Sequence, residues 1–240
     1  MNKVINILNN IEIDDVLDIA TGRGQFIQFL MKNLKNYNTI TGVDNHSKSI
    51  QMARESFSEY EDVNFIEKNF FELDPKNHKY DAVSVSNSLH HFANPEKCLN
   101  KALSLLKQNG YFIISEMHRN GEQSESQKTH IMFHHWSAEI DNHNGVTHYR
   151  TFTHEKLIKL TRNLDIINKK VLKFSYPYDK KNQKEIKSYL KKAINKKLES
   201  IDKNENIFKK MEEKKNRILD HLDEYGFASS EMTFIIGRKR

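Results

Sequence analysis

Three groups of residues in this chain have the types and spacing to do chemistry. The first is the run VLDIATGRGQF, residues 16–26, where an apolar stretch carrying Asp18 breaks into a turn with Gly22 and Gly24. Glycines there permit left-handed backbone and let peptide groups approach a polar ligand closely. The second is the pair His90–His91, shortly after another apolar run, YDAVSVSN. Histidine is the side chain best matched to moving protons near neutral pH. The third is the segment 130–154, with His130, His134, His135, His143, His148 and His154 among Glu139, Asp141 and Glu155. His130 and His134 share one face if that stretch is helical, which leaves an iron, zinc or nickel ion conceivable. The spacing nevertheless matches no established metal signature, and H-E-x-x-H and cysteine pairs are absent, so no metal is expected.

These residues need elements to hold them. Val16–Ala20 reads as a buried strand, followed by a helix from about Gln25 to Leu34. TITGVD (39–44) is a second strand, and the helix after it has Ser47 placed as its cap. VNFIEKNF (63–70) and YDAVSVSN (80–87) are strands three and four. Pro95 opens a helix to about Lys107, which Asn109–Gly110 stops ahead of strand five, YFIISEM. Strands alternating with helical crossovers imply a parallel sheet covered on both faces. Residues 118–152 break the rhythm and read as polar and irregular. A helix capped by Thr153, strand six (KKVLKFSYP), two Lys-rich helices within 179–225 and a last strand, EMTFIIGRKR, complete the chain.

At 240 residues the chain can bury one large core with an insertion. The net charge is +6, but residues 179–217 alone hold 14 Lys and Arg against 7 Asp and Glu. The basic character therefore belongs to one segment. No apolar run is long enough for a membrane span, and the amino terminus lacks the pattern of a secretory signal. A single cysteine, Cys98, excludes an internal disulfide. Together these predict a cytoplasmic protein.

Turns like 20–24 hold dinucleotides, nucleoside triphosphates or S-adenosylmethionine. A dinucleotide fingerprint wants a third glycine, but Ile27 stands there, and no P-loop pattern occurs. Asp18 would repel a pyrophosphate yet suits a ligand with an ammonium group. The ordered motifs then resemble class I S-adenosylmethionine-dependent methyltransferases. VLDIATGRGQF is similar to their first motif, with Ala20 replacing a glycine, and GVDNHSKSIQMAR to the second, whose acid grips the ribose. YDAVSVSNSLHHFANPEKCLNKALSLLKQNGYFIISE resembles the fourth to sixth motifs, and L-H-H-F is most like the small-molecule enzymes of ubiquinone and menaquinone biosynthesis. The resemblance covers roughly residues 12–118. It implies a Rossmann-like α/β fold, a seven-stranded sheet with the last strand antiparallel. Asp18, Ala20, Thr21, Gly22 and Gly24 would hold the amino acid end of the cofactor, and Asp44 with Asn45 the ribose. Asn69, where the family has an acid, and Phe70 would meet the adenine, with Asn87 at the end of strand four.

The expected function is methyl transfer from S-adenosylmethionine, leaving S-adenosylhomocysteine, to a small molecule. His90 and His91 are the candidate bases. The segment 118–152 would form the substrate pocket, with His134, Trp136, His148, Tyr149 and Arg150 lining it. The chain has NSLHHF where enzymes acting on base amines or glutamine carry Asn/Asp-Pro-Pro-aromatic, which disfavours those acceptors. Asn87 is a poor magnesium ligand where catechol-type enzymes place an Asp. The domain division expected is 1–178 with 226–240 as the cofactor-binding unit and 179–225 as a helical cap or dimer surface. Two other readings stay open: an RNA-binding methyltransferase-like module using the basic 179–217 helices, and an NAD-dependent oxidoreductase.

Overall fold

The computed structural model describes residues 2–240. One seven-stranded sheet runs in the order β3-β2-β1-β4-β5-β7-β6. Its strands are β1 (Asp15–Ile19), β2 (Thr39–Asp44), β3 (Val63–Glu67), β4 (Tyr80–Ser86), β5 (Leu106–Met117), β6 (Ile166–Phe174) and β7 (Met232–Lys239). β1 through β5 pair in parallel, while β7 lies antiparallel between β5 and β6. The order of strand addition thus reverses between β1 and β4, the place in such a sheet where ligands bind at the carboxyl ends of the strands.

The helices α1 (Lys3–Leu8), α2 (Gln25–Asn33), α3 (Ser47–Ser56), α4 (Pro95–Ser104) and α6 (His154–Leu160) cover the sheet. One face buries Leu8, Phe26, Ile27 and Leu30 against Phe234, and the other buries Leu99, Leu103 and Leu157 against Val83 and Ile114. This two-sided burial extends to polar positions within the strands, since Asp18 of β1 and Ser84 of β4 are buried along with their apolar neighbours.

Several boundaries differ from the sequence reading, each for a local reason. The cap of α3 is His46, whose Nδ1 accepts from the Ser49 amide at 3.2 Å; the Ser47 hydroxyl instead reaches Glu67. α4 stops at Ser104, not near Lys107, because β5 begins at Leu106 with Lys107 bound to Asp81 at 2.9 Å. Asn109 takes a left-handed φ of 61° inside β5, where the β4–β5 register shifts.

The largest correction concerns residues 118–152, which are not irregular throughout. A 19-residue helix, α5 (Glu125–His143), starts in a capping box formed by Ser124 and Gln127. It packs on α7 (Gln183–Leu198) and α8 (Asn206–Tyr225) through Trp136, Ile140, Leu190, Ile194, Met211 and Leu222. The apolar stripes of both Lys-rich helices are therefore covered within the chain, in a three-helix unit larger than 179–225. Several of their lysines pair with carboxylates: Lys191 meets Asp223 of α8 at 2.6 Å on the exposed surface, and Lys197 and Lys214 pair with Asp141 and Glu139 of α5. Among the described residues no helix is long and apolar enough to cross a membrane.

Candidate active site

The turn after β1 is shaped by left-handed residues. Ala20, Gly22 and Gly24 have φ of 52°, 55° and 82°. Ala20 holds this conformation against the usual preference of a Cβ-bearing residue, at roughly 1 kcal/mol. A Cβ on Gly24 would lie 2.6 Å from the Phe57 ring, whereas Gly22 has open space around it. Gly22 therefore faces a cradle and Gly24 a packed wall.

Asp18 sits under this turn, almost fully buried. Its carboxylate accepts from Thr21 Oγ1 at 2.7 Å and Ser84 Oγ at 2.6 Å. Burial, outweighing these bonds, pushes its pKa up to about 6. A buried carboxylate held only by hydroxyls lacks a counter-cation, and an amino acid's ammonium group supplies one. Next to it, Asp44 at the end of β2 accepts from the Gly22 and His46 amides, both at 2.9 Å. These bonds hold the two cofactor motifs together and leave further lone pairs for a ribose.

A cleft of about 50 Å³ lies at the carboxyl ends of β1–β3, lined by Ala20, Val43, Asp44, Asn45, Lys68, Asn69, Phe70 and Phe92. Five of these residues are among those the sequence nominated. Val43, Lys68 and Phe92 were missed; Val43 adjoins the nominated Asp44, and the position of Phe92 just past the histidine pair could have signalled it. Asn69 is exposed and caps the short helical turn Phe70–Glu72, accepting from Phe71 N at 3.1 Å. The Phe70 and Phe92 rings meet edge to face at 5.6 Å and form one side of this cleft. Asn87 is outside the lining; its side-chain oxygen accepts from Met117 N at 3.0 Å, tying the end of β4 to β5. A larger cavity, about 390 Å³, lies at the opposite, amino-terminal edge among Asp14, Asp81, Lys107 and Arg238, and none of the nominated site residues lines it.

After β4, a helical turn at Leu89–His91 carries the histidine pair. His90 is buried, with Nδ1 bound to Glu116 of β5; Glu116 also accepts from the Ser88 and Leu89 amides at 3.1 and 3.2 Å. The Nε2 of His90 lies 3.1 Å from Nε2 of His134 on α5, which lies 3.3 Å from Nε2 of His148. His148 is fixed by Asp141 at 2.8 Å. His91 is exposed, its ring 4.2 Å from that of His148. Desolvation, with His90 and His148 close by, lowers its pKa to about 4.

The other nominated substrate residues lie elsewhere. Trp136 is a correction: its indole is buried and donates to Met211 O at 2.9 Å, so it packs α5 on α8 rather than lining a pocket. Tyr149 and Arg150 are exposed, the former tied by its amide to His90 O and the latter paired with Glu139 at 3.0 Å.

Comparison with known proteins agrees with this geometry. A curated demethylmenaquinone methyltransferase from Thermotoga maritima is 27% identical over 115 residues, 48% of each chain. A release factor glutamine methyltransferase from Fusobacterium nucleatum is 35% identical over 89 residues, 36% of this chain and 25% of that one. The chain thus spans at most about half the length of these relatives. The solved phosphoethanolamine N-methyltransferase 2 of Haemonchus contortus, in complex with S-adenosyl-L-methionine, superposes with a TM-score of 0.57 at 17% identity. That superposition covers 98% of this chain and 51% of the other. The model of the methyltransferase-domain family matches residues 13–222. The chain belongs to that family, as a class I S-adenosylmethionine-dependent methyltransferase domain.

Proposed function

We propose that this protein methylates a small molecule whose nucleophilic atom is held at the His90–His134–His148 cluster. The observation that carries the reading is the convergence of three imidazoles immediately after β4, two residues from the Phe92 that lines the cofactor cleft. Bound S-adenosylmethionine supplies an electrophilic methyl on a sulfonium. Asp18 and the 20–24 turn would hold its amino acid end, Asp44 and Asn45 the ribose, and Phe70 with Asn69 the adenine. The acceptor attacks the methyl carbon, the carbon–sulfur bond breaks with its electron pair going to sulfur, and the acceptor's proton passes to the histidine cluster.

Glu116 and Asp141 orient the two outer imidazoles, so their Nε2 atoms carry lone pairs toward the acceptor. The 144–151 loop, tied to the turn by the Tyr149 amide, closes over this edge and favours a small acceptor over a polypeptide. Assays with labelled methyl donor across phenolic, quinol, thiol and amine acceptors test the reading. With the best acceptor, His90→Gln should lower kcat by roughly 10²-fold or more while S-adenosylhomocysteine affinity holds. Unchanged kcat would remove the cluster from the reaction.

A further inference from the structure

We propose that His90, His134 and His148 form a binding site for one divalent transition-metal ion of the zinc class. Their ring nitrogens all lie within 4.8 Å of one another, and two of the three edges are 3.1 and 3.3 Å. Nitrogens around a tetrahedral zinc ion at its usual bond length stand ~3.3 Å apart. The three side chains come from the turn after β4, from α5 and from the 144–151 loop, so no linear signature announces the site.

The proton count points the same way. Buried Glu116 can only accept, so His90 carries its proton on Nδ1 and presents a lone pair at Nε2. Asp141 does the same for His148. His134 has one Nε2 proton at most, which cannot fully serve both facing lone pairs, and its Nδ1 is buried without a partner. Three lone pairs converging on one point suit a cation better than a shared proton. A carboxylate behind a ligating imidazole is also the usual outer arrangement of metal-bound histidine, fixing the ring and raising its basicity. Neutral imidazoles select zinc, iron, cobalt, nickel or copper over magnesium and calcium, which want oxygen.

His90 and His148 are buried while His134 is partly exposed, which leaves one side open for an exogenous ligand. In metal-loaded protein the ion, not a ligated imidazole, would activate the acceptor by binding and acidifying an oxygen or sulfur nucleophile, whose proton leaves to solvent. That role rests on the proposed methyl transfer; the binding itself does not.

The test uses the full chain without an affinity tag, stripped by chelator and titrated with Co²⁺, then Zn²⁺. Expected are one equivalent of Co²⁺ with the intense visible bands of a four-coordinate site, displaced by Zn²⁺. His134→Ala and His148→Ala should each weaken binding at least about 100-fold, and Asp141→Asn about 10-fold to 100-fold. His143→Gln, an exposed histidine paired with Glu205, should leave binding unchanged. If a ligand variant fails to fold, Zn²⁺-dependent rise of Tm in the unaltered protein gives a second readout. Weak six-coordinate Co²⁺ spectra, or binding that persists in folded His134→Ala and His148→Ala, would overturn the site. Calorimetry of S-adenosylhomocysteine with chelated protein, run alongside, separates failure of the metal site from failure of the cofactor reading.

Discussion

Gly22 and Gly24 look alike in the sequence but do different work. Both are left-handed, yet only Gly24 abuts a ring, at 2.6 Å from a would-be Cβ. Gly24→Ala should therefore cost about 2–4 kcal/mol of stability, from backbone strain plus overpacking, against about 1 kcal/mol for Gly22→Ala. Urea unfolding of the two variants checks the difference; equal losses would refute the assignment. Asp18 makes a pH prediction. Its pKa of about 6 in the ligand-free fold means that ionising it at neutral pH opposes folding by about 3 kcal/mol. That raised value favours the fold below pH 3.8, and the benefit is lost as pH rises through about 6. An ammonium partner needs the ionised form, so S-adenosylhomocysteine affinity should fall up to about tenfold per pH unit below pH 6. In Asp18→Asn affinity should be weak and flat with pH, as calorimetry across pH 5–7.5 would record.

At the scale of elements, legibility followed how one-sided each burial is. The central strands β1 and β4 are buried over most of their length, and the first five strands were readable from short apolar-rich runs bounded by turn signals. α5 was not readable. Its inward positions mix Trp136 and Ile140, which face α7 and α8, with His130 and His134, which face other polar groups. A polar residue pointing inward erases the hydrophobic period on which the reading depends. The histidine cluster was legible in its members but not in its assembly: His90, His134 and His148 were each nominated, yet partners 44 and 58 residues away give no sign that they meet. The cofactor turn was legible because it is local; the imidazole triad is tertiary. The role of Trp136 yields an element-scale prediction. Trp136→Ala should lose about 3–5 kcal/mol and release α7–α8 from α5, with protease cutting first within 179–225. A loss below 1 kcal/mol would show that the three helices dock by other means.

For the whole molecule, acid is the stress that matters. His130 is half-buried, its Nδ1 accepts from Ser230 N at 3.0 Å, and desolvation lowers its pKa to about 4. An unfolded chain takes up a proton there near pH 6.5, so His130 leaves stability intact above pH 6.5 and withdraws it as pH falls toward 4. Asp18 acts in the opposite sense over this window, so the check is differential: as pH falls from 6.5 to 4, Tm of the unaltered protein should drop relative to that of His130→Asn, which retains an acceptor for Ser230. The charge pattern also bears on partners. With Lys191, Lys197 and Lys214 paired to carboxylates, the helical unit presents less free positive charge than its composition suggests. RNA binding with a steep salt slope would run against this account.

The central claim is that the bend after β1 receives a methyl-donor cofactor while Asp44 takes its sugar. Isothermal calorimetry with S-adenosylhomocysteine tests it most directly. One equivalent should bind, and Asp44→Ala should weaken it at least about tenfold by removing charge-assisted bonds. Heat with NAD but none with S-adenosylhomocysteine or S-adenosylmethionine would contradict the claim.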